Sequence, residues 1–116
     1  MPITEKPKLL VVDDDPDFLE LCWICLSKDF RVELAGNADE AVEKLGKSRP
    51  SAVLLDLRMP GVSGVEVLKY MQMWPLMRRI PVIVITASEL NDRLERMLRA
   101  HGNVYNCFEK TVSLDA

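Results

Sequence analysis

Three short apolar runs that each close abruptly on an acid or a hydroxyl constrain this chain more than any other feature: Lys8 to Asp13, Ser51 to Asp56 and Pro81 to Thr86. None alternates polar with apolar residues, so each reads as a strand covered on both faces. Strands of that kind occur where helices pack on both sides of a parallel sheet. Helical patterns fill the intervals. Pro16 suits a first helical turn after Asp15, and Phe18, Cys22, Cys25 and Leu26 recur at i, i+4, i+7 and i+8, which predicts a helix ending near Lys28. Arg31 to Ala35 predicts another strand. Asn37, with Glu40 three residues on, approximates a capping box ahead of Ala41, Val42 and Leu45.

Further along, Met59-Pro60-Gly61 is a turn, and Ser63 or its neighbour caps a helix that carries Val67, Leu68 and Met71 until Pro75 stops it. A basic loop leads to Pro81. Ser88 caps a helix with Leu90, Leu94, Met97 and Leu98 on one face, closing at His101-Gly102 with the glycine left-handed. Val104 to Phe108 is a fifth strand. Alternating strand and helix through five strands predicts an α/β fold, a doubly wound five-stranded parallel sheet with right-handed crossovers. At 116 residues this is one domain, 1–116, with its core in 8–110. Residues 111–116 are too few for a stable last helix, although Ser113-Leu114-Asp115 resembles the start of one. The last helix is therefore expected to be truncated or absent. That would leave a strip of the first helix and sheet open, a surface for a homodimer or another partner.

With 48% hydrophobic residues the chain can build one core without disulfides, and its three cysteines, an odd number, fit a reducing compartment. Fifteen Lys and Arg against eighteen Asp and Glu, a net charge of −3, argue against broad electrostatic binding of nucleic acid or of acidic membranes. Met1 to Pro7 holds no apolar signal region, and no stretch approaches the ~20 apolar residues that span a bilayer. The chain reads as cytoplasmic.

Asp13, Asp14 and Asp15 follow the first strand, Asp56 ends the third, Thr86 ends the fourth and Lys110 follows the fifth. Parallel strands end at one rim, which is where open α/β sheets bind ligands. Clustered carboxylates repel unless a cation offsets them, and oxygen donors without a His or Cys cluster suit a hard ion such as Mg²⁺. A hydroxyl and an ammonium opposite the acids would stabilise charge on a transferred phosphoryl group.

The ordered segments Leu10-Val11-Val12-Asp13-Asp14-Asp15-Pro16, Leu55-Asp56-Leu57-Arg58-Met59-Pro60-Gly61, Ser63-Gly64, Pro81-Val82-Ile83-Val84-Ile85-Thr86-Ala87 and Lys110 resemble the receiver domain of two-component response regulators, over about Lys8 to Lys110. The resemblance implies a flavodoxin-like receiver fold. It also implies phosphorylation of Asp56 by the phosphohistidine of a sensor histidine kinase or phosphotransfer protein, with a downstream output domain or target reading the result. By the same resemblance Asp13, Asp14 and Asp56 hold Mg²⁺ together with the backbone carbonyl of Arg58, with Asp14 the direct ligand of the first pair. Thr86 donates its hydroxyl to the phosphoryl group, Lys110 pairs with its oxygens, and Asp15 caps the first helix. Such a domain modifies itself and is no enzyme toward a separate substrate.

Two positions depart from the pattern: Thr111 follows Lys110 where the family usually has proline, and Cys107 stands where the signalling aromatic lies, with Tyr105 and Phe108 on either side. These motivate an alternative, a receiver-like interaction module that works without phosphorylation. A phosphohydrolase of the haloacid dehalogenase type is disfavoured because Arg58 stands two residues after Asp56, where that chemistry places a second aspartate. Cys22-Trp23-Ile24-Cys25 has redox spacing but lies mid-helix, where core packing is the better reading. The resemblance also disfavours a zinc site of Cys22, Cys25, His101 and Cys107, because the family fold puts the first and fourth helices on opposite faces of the sheet.

Overall fold

The computed structural model describes residues 6–57, 64–86 and 92–109. Along the chain run β1 (Lys8–Val12), α1 (Pro16–Leu26), β2 (Arg31–Ala35), α2 (Ala38–Ser48), β3 (Ala52–Leu55), α3 (Gly64–Gln72), β4 (Val82–Thr86), α4 (Asp92–Arg99) and β5 (Val104–Glu109), with a 3-10 turn at Met77–Arg79. The strands form one sheet in the order β2-β1-β3-β4-β5, and every pairing is parallel. This is the doubly wound five-stranded fold that the sequence predicts.

The two faces of the sheet build two separate cores. Leu10, Val12, Val53, Leu55, Val82 and Val84 face α2, α3 and α4, meeting Ala41, Leu45, Val67, Leu68, Met71 and Leu98. On the reverse face Leu9, Val11 and Val32 meet Cys22, with Phe18, Leu19, Leu26 and Leu54 packed around them. Burying each large aliphatic side chain contributes roughly 1.5–3 kcal/mol, and this outweighs the modest propensity of helices only eight to eleven residues long.

Local chemistry sets the helix ends. Asp15 caps α1, its carboxylate accepting from the Asp17 N–H at 3.0 Å, with Pro16 next in line. Asn37 Oδ1 accepts from the Glu40 N–H at 2.8 Å, and Glu40 Oε1 accepts from the Gly36 N–H at 2.6 Å. The reciprocal cap is therefore present but reaches one residue further back than the standard capping box.

Several expectations need correction. α1 ends at Leu26 rather than near Lys28, and its inward face centres on Cys22 with Leu19 and Leu26 a turn to either side, which turns Cys25 outward to solvent. α4 ends at Arg99, and Gly102 does not adopt the left-handed conformation. Among the described residues the one non-glycine left-handed position is Arg49, with φ 48°, at the C-cap of α2. Pro50 follows it and disfavours right-handed helical backbone at residue 49, so the helix breaks there. Leu98 is buried and Leu94 packs beside it, whereas Met97 is rotated toward solvent. Met59-Pro60-Gly61, Ser63, Ser88, Leu90 and 110–116 lie outside the described residues.

On the sheet face shared with α1 the apolar surface is incompletely covered in two places, since Trp23 borders Phe30 and Val32 at the β2 edge, away from β4 and β5. Trp23 and Ile24 on α1 are 50% and 67% exposed and Phe108 on β5 is 46% exposed, while Ile83 and Ile85 stay only partly covered. β4 accordingly alternates between a buried and a half-buried face. At the N-terminal end of the sheet Asn103 donates to the Ile80 carbonyl at 3.1 Å and accepts from Gln72 Nε2 at 2.6 Å, tying β4, β5 and α3 together. Sequence periodicity gives no sign of this buried amide.

Candidate functional site

β1 and β3 are neighbours with Val12 level with Leu55, so Asp13 and Asp56 emerge side by side, about one strand spacing apart. The Asp56 N–H donates to the Val12 carbonyl at 2.9 Å and the Asp13 N–H to the Ala35 carbonyl at 3.0 Å, which binds three strand ends together. Asp13 Oδ1 accepts from the Asp15 N–H at 2.9 Å, a short turn that folds the chain over the rim. As a result, carboxylate oxygens of Asp13, Asp14 and Asp56 lie within 4.8 Å of one another. Asp13 and Asp56 are buried and Asp14 is exposed, so the cluster is anchored below and open above.

Three carboxylates this close repel unless a cation neutralises them, and the donors are all oxygen. The set therefore fits a hard divalent ion and offers nothing to a thiophilic one. Thr86 is fully buried at the end of β4. The pairing of Leu55 with Val84 places it one residue beyond the level of Asp56 on the adjoining strand. Four of the expected site residues, Asp13, Asp14, Asp56 and Thr86, thus converge on one rim, and Asp15 serves as the helix cap. Arg58 and Lys110 lie outside the described residues.

In the sequence Gly64 stands out as part of Ser63-Gly64, at the start of a helix and in the family resemblance, but its contact with the backbone of Asp56 is not legible there. Its N–H donates to the Leu57 carbonyl at 3.0 Å, and a Cβ at this position would press on the Asp56 carbonyl oxygen and lie 2.8 Å from Leu57 Cα. The start of α3 therefore rests directly on the backbone that carries Asp56. The signal was a glycine eight residues after the acid, which is too common a feature to read without the tertiary contact.

The cysteines separate cleanly. Cys22 belongs to the core under α1 and Cys107 to the core on the other face, so no site joins them with His101. Cys107 stands beside Val84, whereas Phe108 pairs with Ile85 and is turned to the opposite face. Tyr105 is the residue left out of register by the bulge in β5 and is exposed. Neither ring occupies the place of Cys107. Burial pushes the Cys107 thiol above the ordinary cysteine range, partly opposed by nearby Arg99 and reinforced by Glu95. A thiol reagent should find one fast cysteine, Cys25, with Cys22 and Cys107 reacting only as the protein opens. Three fast thiols in the native protein would contradict this placement.

The family model for the response regulator receiver domain matches residues 9–116. The phosphate regulon transcriptional regulatory protein PhoB of Escherichia coli (strain K12) is 34% identical over 89 residues, 75% of this chain and 39% of PhoB. The match thus covers well under half the length of that relative. The N-terminal domain of a response regulator receiver protein from Methanoculleus marisnigri JR1 superposes with a TM-score of 0.83 at 28% identity, covering 93% of this chain and 87% of that one. The receiver domain of a sensor histidine kinase from Pseudomonas aeruginosa PAO1, solved with a magnesium ion coordinated in its active site cleft, superposes with a TM-score of 0.80 at 25% identity, covering 94% and 88%. With nearly its whole length matched and its fold shared, the chain belongs to the receiver domains of two-component response regulators.

Proposed function

We propose that this domain accepts a phosphoryl group on Asp56 from the phosphohistidine of a sensor histidine kinase or phosphotransfer protein, and that the modified domain presents a changed surface to an output domain or target protein. The observation that carries this reading is the convergence of Asp13, Asp14 and Asp56 at adjoining strand ends, with ligand atoms within 4.8 Å. An Asp56 carboxylate oxygen attacks phosphorus as the phosphorus–nitrogen bond to the donor imidazole breaks, and an acyl phosphate forms. Hydrolysis of that acyl phosphate by water restores the carboxylate. The imidazole leaves with the bonding electron pair.

Asp13, Asp14, Asp56 and the backbone carbonyl of Arg58 would hold Mg²⁺, in keeping with the all-oxygen donor set and with the magnesium in the Pseudomonas aeruginosa neighbour. When bound, the ion supplies positive charge that offsets the carboxylates and the phosphoryl oxygens. The Thr86 hydroxyl donates to one phosphoryl oxygen and the Lys110 ammonium pairs with another, so positioning and electrostatics do most of the work. No helix of the described residues is long and apolar enough to cross a membrane. We place the domain in the cytoplasm, where a kinase's phosphohistidine and ATP-derived phosphoryl groups are found.

Intact-mass spectrometry after incubation with Mg²⁺ and acetyl phosphate tests the proposal. One phosphoryl adduct is expected, and none when a chelator replaces the metal. A folded protein that binds Mg²⁺ yet takes up no phosphoryl group would overturn the proposal and leave an interaction module.

A further inference from the structure

At the end of the strands away from the acid cluster, the last turn of α2 and the segment between α3 and β4 enclose a groove of about 460 Å³. Gly46 and Arg49 line one side, and Trp74, Leu76, Met77 and Ile80 the other. Trp74 and Leu76 keep half or more of their surface in solvent, and Tyr70 tilts against Trp74 with ring centroids 6.4 Å apart, supporting the indole at the edge. An apolar concavity of this volume lies in the range that takes a ligand or the anchor side chains of a peptide.

Two independent features distinguish the groove from an accidental dent. The first is Gly46, which lies inside α2. A Cβ there would meet nothing within 4 Å and the backbone is not left-handed, so neither packing nor conformation calls for glycine. A helix-interior glycine costs about 1 kcal/mol relative to alanine, and here it keeps the groove wall bare. The second feature is charge. Residues 44–51 and 67–81 contain Lys44, Lys47, Arg49, Lys69, Arg78 and Arg79 and no Asp or Glu, on a chain whose net charge is −3. Lys47 and Lys69 pair with Glu43 and Glu66 on their own helices at 3.5 and 3.4 Å. Arg49, Arg78 and Arg79 are exposed and have no acid partner among the described residues.

We infer that this groove docks an acidic peptide segment of a partner protein, with an aromatic or aliphatic anchor seated beside Gly46 between Trp74 and Leu76, and with flanking Asp or Glu facing Arg49, Arg78 and Arg79. The charge complementarity supplies orientation and encounter rate, while the buried anchor supplies most of the affinity. A peptide fits better than a nucleic acid, because the lining is apolar and the chain as a whole is acidic. It also fits better than a bilayer, because the apolar surface is concave and holds only an anchor or two. The site lies at the far end of the sheet from Asp56 and does not depend on phosphoryl chemistry there.

Phage display of random dodecapeptides against the full chain tests the inference, followed by fluorescence anisotropy of the most enriched peptide. Enriched sequences should carry an aromatic or aliphatic anchor flanked by acids. Gly46→Leu, which fills the groove, should weaken binding about tenfold or more while its unfolding midpoint stays at or above the wild-type value. Arg78→Glu with Arg79→Glu should weaken binding about tenfold and flatten its dependence on salt. Asp56→Asn should bind like wild type. Peptides without acidic bias, no enrichment at all, or binding indifferent to Gly46→Leu would overturn the inference. So would arginine-dependent binding to phosphatidylserine vesicles in the absence of any peptide binding, which would assign the groove to a membrane surface.

Discussion

Asp56→Asn should take up no phosphoryl group under conditions in which the wild-type domain is modified, and it should do so without losing its fold. The substitution keeps the shape of a buried side chain whose backbone N–H is held by Val12, so no cavity opens. An amide oxygen is not a competent nucleophile toward phosphorus, and the acyl phosphate cannot form. The exchange also removes one of three clustered negative charges. Without metal, the unfolding midpoint should therefore be equal to or higher than that of wild type. With Mg²⁺ the pattern reverses. Wild type gains stability by mass action, about 2.7 kcal/mol at a hundred times the dissociation constant, and the variant gains far less. Intact-mass spectra and melting curves with and without Mg²⁺ check both halves. An adduct that persists in Asp56→Asn would move the acceptor to another acid, with Asp13 and Asp14 the first to examine.

Gly64→Ala should be among the most damaging single methyl additions in the chain. The new Cβ would press on the Asp56 carbonyl oxygen and lie 2.8 Å from Leu57 Cα and 3.1 Å from the Asp56 carbonyl carbon. All three atoms are backbone, so no rotamer change relieves the clash. Either α3 lifts from the sheet, loosening Val67, Leu68 and Met71 in the larger core, or the end of β3 shifts and carries Asp56 with it. A loss of about 2–4 kcal/mol is expected in urea denaturation, at the upper end of what overpacking costs. Phosphorylation should slow in the same variant, because displacement of the nucleophile by even an ångström is expensive. A stability within about 0.5 kcal/mol of wild type would show that α3 can slide without consequence.

Much of the fold was legible because the relevant signals are local. Lys8 to Asp13 and Pro81 to Thr86 announce strands through unbroken apolar runs, and Asp15-Pro16 and Asn37 mark helix starts through side chains that satisfy free N–H groups. The acid rim was legible for a topological reason. Once the strands are parallel, residues at their C-terminal ends must meet, and Asp13, Asp14, Asp56 and Thr86 do so. The misreadings come from questions that periodicity answers only coarsely. Cys25 and Met97 each directly precede a residue of the buried face, Leu26 and Leu98, and the rotation of the helix about its axis decides which of the neighbours turns inward. The packing role of Gly64, and Asn103 and Arg49 altogether, went unread because they depend on a backbone contact, a buried amide bridge and a proline-enforced helix break, none of which repeats along the sequence.

The two cores differ in how much chain each must wait for. Among the described residues the core under α1 draws on Leu9 to Leu54, whereas the core on the opposite face is not complete until Val104 and Cys107 arrive. A polypeptide made from its N-terminus onward can therefore close one side of β1 with less than half of the 116 residues synthesised. On its other face Leu10 and Val12 then have α2 against them but not yet α3, α4 and the later strands that complete the larger core.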